Sequence, residues 1–199
     1  MAGTKKYAAV AAVAVALIAV PTAAHSAPQG KGAPAAVLSA HVTGHPAHAP
    51  ALPVAKTAPT ARIVAPGEHV TEPGGAEFWL TAEGKHWTTL DNTDPQFRSV
   101  VDGNIDLGTP GVSAQVEGTA QGHVTLSGLY YGGKGTASRV TVRTTAGTLR
   151  AELLELAGDP GWGVWYVSTD LPASDEDFGV KHIVVRDTEG GIYSRLDLS

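Results

Sequence analysis

From Gly67 onward this sequence predicts an all-β domain, an antiparallel β-sandwich of immunoglobulin-like type, with a small open β-barrel as the alternative. Three observations carry the prediction. Apolar residues recur at every second position in short runs, which is the period of a strand with one buried face. Gly-containing turns separate these runs at the spacing typical of sandwiches and barrels. The turns are also short, and parallel neighbours would need long crossovers, so successive strands must pair antiparallel.

The elements follow in chain order. "EFWLTA" places Phe78 and Leu80 on one face, and "EGK" turns the chain into "HWTTL". "VSAQVE" directs Val112, Ala114 and Val116 inward, with Ser113, Gln115 and Glu117 outward. In "HVTLSGLYY", Val124, Leu126 and Tyr130 share a face. "RVTVRT" presents Val140 and Val142, and "TLRAELLEL" returns with Leu149, Ala151 and Leu153. The apolar phase then slips at Leu154 and Leu156, so a bulge is expected there. "VKHIVVRD" and "GIYSRLDL" close the domain with Ile192, Leu196 and Leu198 inward. About nine strands and no helix result.

The first 66 residues read differently. Lys5 and Lys6 precede an uninterrupted apolar run over 7–20, Pro21 ends it, and Thr22 and Ala24 supply small residues. That order predicts a secretory signal peptide over 1–24. The run is shorter than the roughly 20 apolar residues that cross a bilayer, so no membrane association is expected after cleavage. Residues 25–66 are rich in Ala and Pro without an amphipathic period, and are expected to form a disordered, partly polyproline II spacer. The domain is therefore 67–199, and the protein is expected outside the cell.

Composition narrows the function. The chain has no cysteine, which removes disulfides, thiolate metal sites and a cysteine nucleophile. A secreted domain without disulfides must be held by its own core. The net charge is −5, but residues 66–199 carry all 19 acids against 9 of the 14 bases. Such a surface repels phosphate backbones, so nucleic acid is not an expected partner. No zinc-protease motif and no G-x-S-x-G elbow occurs; Thr125 stands where the elbow around Ser127 would need its first glycine.

"GWGVWYVST" (161–169) concentrates the aromatic residues. Alternation puts Trp162, Val164 and Tyr166 on one face and Gly163, Trp165 and Val167 on the other. Two apolar faces indicate a strand buried on both sides, the commoner outcome for such rings. The functional expectation is an exposed aromatic platform built from Trp162 and Trp165, extended by Trp79, Trp87 and Tyr131. Trp162, at the mouth of a Pro-Gly loop, is the ring expected to be most exposed. "DGNIDLG" sets Asp102, Asn104 and Asp106 at the spacing that opens a calcium loop, and "SDEDFG" adds Asp175 and Asp177. Leu107 and Ser113 stand where that loop needs Gly and a bidentate Glu, so calcium is the weaker expectation and no other cofactor is expected. His41, His45 and His48 in the spacer offer a surface metal site, while His69, His86, His123 and His182 are scattered.

The Ala-rich leader, the Ala/Pro spacer, the block "SRVTVRTTAGTLRAELLELAGDPGWGVWYV" and "VVRDTEGGIYS" together resemble uncharacterised small secreted proteins of actinobacteria. The resemblance spans most of residues 76–198. It implies an extracellular β domain and brings no catalytic residues with it. The expected function is a non-catalytic binding or interaction module at the cell envelope or beyond it, with a cell-wall glycan or another secreted protein as partner. A secreted hydrolase and a self-associating envelope protein are the alternatives.

Overall fold

A computed structural model describes residues 58–119, 122–171 and 178–198. The expected signal peptide, most of the spacer with its three histidines, Asp175 and Asp177 lie outside the described residues. Among the described residues there are thirteen strands and no helix. They are β1 (Arg62–Val64), β2 (Val70–Thr71), β3 (Glu77–Thr81), β4 (Gly84–Thr88), β5 (Gln96–Ser99), β6 (Gly111–Val112) and β7 (Gln115–Gly118), followed by β8 (His123–Tyr131), β9 (Ala137–Thr144), β10 (Thr148–Leu156), β11 (Trp162–Asp170), β12 (Val180–Asp187) and β13 (Ile192–Asp197).

They form two sheets. The larger runs β13-β12-β9-β10-β11-β8-β6, with β7 also on β8 and β1 on β10. It curls until β13 comes beside β6, so the sheet is nearly barrel-shaped. The smaller is a meander, β2-β3-β4-β5. All pairs are antiparallel except β1, which lies parallel to Leu154–Leu156 of β10.

Alternation builds two cores. Leu126 and Tyr130 of β8, Trp165 of β11, Val140 and Val142 of β9 and Ile183 and Val185 of β12 fill the inside of the curled sheet. Leu129 and Tyr131 of β8, Trp162 and Val164 of β11, and Leu154 and Leu156 of β10 point the other way, against Phe78, Leu80 and Trp87 of the small sheet. β8 and β11 are therefore walls between two interiors. That explains the apolar character of both faces of "GWGVWYVST". Gly163 makes room on this wall: a Cβ there would come within 2.3 Å of the Tyr130 hydroxyl, which passes over the strand to reach Glu155.

Four expectations change. The folded part begins before residue 66, since Arg62–Val64 form β1 and Ala61 and Val64 are buried. "VSAQVE" is two strands. The register on β8 is continuous from Val112 opposite Tyr130 to Gln115 opposite Ser127, so Ser113, Gln115 and Glu117 share the barrel's outer face as alternation places them. The small sheet covers that face, so Gln115 and Glu117 meet Lys85 and Trp87 instead of solvent, while Val116 on the other face is exposed. The expected bulge at Leu154 is not needed, because β10 changes partners there. Its first half pairs with β9, its second with β11 and β1, and the small sheet covers Leu154 and Leu156. Finally, Ile192 is exposed rather than inward; a register shift between Val185 and Arg186 moves the start of β13 out of phase, and Tyr193 is buried instead.

Candidate functional site

The outer face of the small sheet carries a row of rings. Register places Trp79 of β3 opposite His86 of β4, and His86 opposite Phe97 of β5. His69, just before β2, completes the row. His69 and Trp79 stack at 4.3 Å with planes 9° apart, Trp79 and His86 at 5.4 Å and 9°, and His86 and Phe97 at 4.6 Å and 32°. These separations bracket the roughly 4.7–4.9 Å between paired strands, so the rings stand upright like rungs and cover one another's faces. Polar neighbours fix the histidines: His69 Nδ1 donates to Glu77 Oε2 at 3.1 Å, and His86 Nε2 pairs with Thr81 Oγ1 at 3.2 Å. Phe97 ends the row on the edge strand, 49% exposed. Its ring leans on Gly84, where a Cβ would come within 2.1 Å of the Arg98 carbonyl and 3.0 Å of Phe97 itself.

The inner face of the small sheet meets the barrel wall along a seam that is apolar at one end and polar at the other. Lys85 of β4 is fully buried there. Its Nζ donates to Gln115 Oε1 and to Ser127 Oγ, both at 2.7 Å. Gln115 and Ser127 are directly opposite each other on β7 and β8. The amine lies 4.1 Å from the centre of the Trp87 ring and 5.6 Å from that of Phe78. Trp87 Nε1 in turn donates to both Glu117 oxygens at 2.9 and 3.0 Å. Burial pulls the Lys85 pKa down to about 7, with the Glu117 carboxylate pulling the other way.

Farther along the seam, Glu72, His123 and Asp170 clasp the two sheets together. His123 Nδ1 donates to Asp170 Oδ1 at 2.7 Å, and its Nε2 lies 3.6 Å from Glu72 Oε1. Ser168 Oγ donates to Glu72 Oε2 at 2.5 Å. The Asp170 hydrogen bond raises the His123 pKa, burial opposes it, and Glu72 adds to the rise. Burial alone would raise the Glu72 pKa, but hydrogen bonds from Ser168 and from the backbone of Gly74 and Ala76 outweigh it and hold the group below its ordinary value. A shallow cleft lined by Thr89, Leu90, Glu117, His123 and Thr125 opens this end of the seam to solvent.

The expected site residues fall in different places. Trp162, Trp165, Trp87 and Tyr131 are all at most 4% exposed, so the exposure expected for Trp162 above all is corrected. Their rings are large; Trp162, Trp165 and Tyr131 lie on the wall and Trp87 on the inner face of the small sheet that covers it, where burial removes the most surface from water. Trp79 is half-buried in the outer row. Asp102 accepts from Asn104 N at 3.0 Å and Nδ2 at 2.9 Å, while Asp106 accepts from Gly108 N at 2.9 Å and Thr109 Oγ1 at 2.7 Å. Both carboxylates thus close their own turns, and those hydrogen bonds hold both pKa values low. Among the described residues no group of three or more His, Asp or Glu is placed to hold a metal ion.

Sequence reasoning missed His69, His86, Phe97 and Lys85. The signal for the row was present: Trp79 stands out of phase with Phe78 and Leu80, and the tight turn between Thr81 and Gly84 puts His86 on the same side. That turn also pairs Lys85 with Leu80, on the inward face, rather than leaving it in the loop. The β5 run, "QFRS", is too short to announce itself. No protein-family model, no curated protein and no solved structure matches the chain.

Proposed function

We propose that the domain is a non-catalytic interaction module that receives an extended segment of another secreted protein along the free edge of β5, at the cell envelope or outside the cell. The observation that carries this reading is the upright row His69–Trp79–His86–Phe97, which ends on an edge strand with its last ring open. The row repeats at the strand spacing, so what continues it is a further strand bearing an aromatic or branched side chain. An edge strand also offers unpaired backbone groups to an incoming chain. A cell-wall glycan, the competing ligand, would need open ring faces, and the two inner rings, Trp79 and His86, spend both of theirs on their neighbours. The net negative charge from residue 66 onward favours a neutral or basic segment. An exported chain, with 1–24 removed and the spacer leading to the domain, is part of the same proposal. So is an immunoglobulin-like, two-layered reading of the fold, supported by the face-to-face packing of the small sheet on the barrel wall.

The test is a titration followed by backbone NMR, using a short peptide alternating Thr and Tyr in parallel with an oligomer of N-acetylglucosamine. We expect shifts centred on residues 96–99 with the peptide, lost in Phe97→Lys, a change at an exposed position. Shifts with the sugar alone would replace strand addition by glycan binding.

A further inference from the structure

We propose that Lys85 and Gln115 become joined by an intramolecular isopeptide bond that the chain makes by itself, a covalent strap between the small sheet and the barrel wall. The geometry brings the two groups together: Nζ lies 2.7 Å from Gln115 Oε1, which places it roughly 3–4 Å from the amide carbon, the range of a near-attack arrangement. Ser127 Oγ, at 2.7 Å, holds the amine from the other side. Neither partner is a free surface side chain. Lys85 is fully buried against the Trp87 and Phe78 rings, so little water competes for the carbonyl.

Chemistry in such a place needs an uncharged amine and a proton carrier. Burial brings the Lys85 pKa to about 7, so a substantial fraction of the amine carries a lone pair near neutrality. Glu117 is two residues beyond Gln115 on the same face of β7, and it lines the cleft that reaches solvent. Its carboxylate, held by Trp87 Nε1, stands beyond direct hydrogen-bond reach of Nζ, so a water entering from that cleft carries to it the proton released from Nζ and back to the leaving group. The step balances without a further reactant. The Nζ lone pair forms a bond to Gln115 Cδ, the Cδ–Nε2 bond breaks, and Nε2 departs as ammonia carrying the proton passed through Glu117. The product is a secondary amide linking positions 85 and 115.

This inference is independent of the partner at β5. It also gives a physical use to a buried lysine that would otherwise only cost desolvation. In a chain without cysteine, such a bond would do the work of a disulfide.

The experiment is mass spectrometry of the full-length folded protein after incubation at neutral to mildly basic pH. We expect an intact mass lower than that of the sequence by one ammonia, and after proteolysis a branched peptide joining the Lys85 and Gln115 fragments. Lys85→Met and Glu117→Ala should keep their full mass. If Glu117→Ala does not fold, the wild-type mass and branched peptide decide alone. A folded wild-type chain of unaltered mass, or an ammonia loss mapping to another Asn or Gln, overturns the proposal. Cross-linking of Glu117→Ala at the wild-type rate overturns the step as written.

Discussion

Single side chains set the sign of this protein's response to pH and to mutation. Tyr130 reaches across the wall to donate to Glu155 Oε1 at 2.7 Å, and its ring meets Tyr193 edge-on at 5.9 Å. Burial, reinforced by Glu155, raises the Tyr130 pKa, and burial with Asp159 nearby raises that of Glu155. Tyr130→Phe removes the donor and leaves a half-buried carboxyl unpaired, so urea denaturation should show a loss of about 1–3 kcal/mol. His123 works through charge. Its pKa is raised in the folded state, so its stabilising contribution is fully present below the unfolded value of 6.5 and fades as pH rises through the folded value. The Glu72 pKa is lowered, so the contribution of Glu72 is present above 4.5 and is lost as pH falls through its folded value. Tm measured across this span should favour the wild type over His123→Gln in the mildly acidic range, with the gap narrowing toward alkaline pH. A gap independent of pH would remove the clasp.

At the scale of elements, the short strands matter more than their length suggests. β1 has three residues, yet it supplies the only parallel pairing among the described residues and buries Val64 against Leu154 and Leu156. A chain beginning at residue 66 loses that side chain and exposes the edge of β10. It should be less stable than one beginning at 58 by at least about 2 kcal/mol, read from the midpoint and slope of denaturation. Ser138 Oγ adds to the same anchorage by donating to the Pro59 carbonyl at 2.5 Å. β5 shows the opposite economy: its four residues leave an edge and an open ring, which is where an interaction site can form without disturbing either core.

Across the whole molecule, two cores share one wall, and the seam between the sheets joins residues far apart in sequence. A Lys85–Gln115 bond would close a loop of sequence separation 30. On chain-entropy grounds that constrains the unfolded state by about 3–4 kcal/mol. The linked chain should therefore melt on the order of 10 °C above Lys85→Met in calorimetry. Before the link forms, the unfolded chain binds more protons than the folded one between about pH 7 and 10.5, so stability should climb with pH in that window. Once the amine is an amide, that dependence should vanish.

What the sequence settled by itself was the all-β character and the facing of its longer strands. The alternation in "HVTLSGLYY" and "GWGVWYVST" is local, and a pleated strand has no other way to sort its side chains. Tertiary structure decided what each face meets. Both faces of β8 and β11 are covered because a separate meander packs outside the barrel, so the tryptophans that looked available became core. It also decided what the polar face of "VSAQVE" meets: Gln115 and Glu117 lie under Lys85 and Trp87 of the small sheet, each a sequence separation of 30 away. The row of rings and the Lys85–Gln115 approach belong to the same class. They depend on register between strands, which is fixed by packing and turns rather than by composition, and no single run of residues records it.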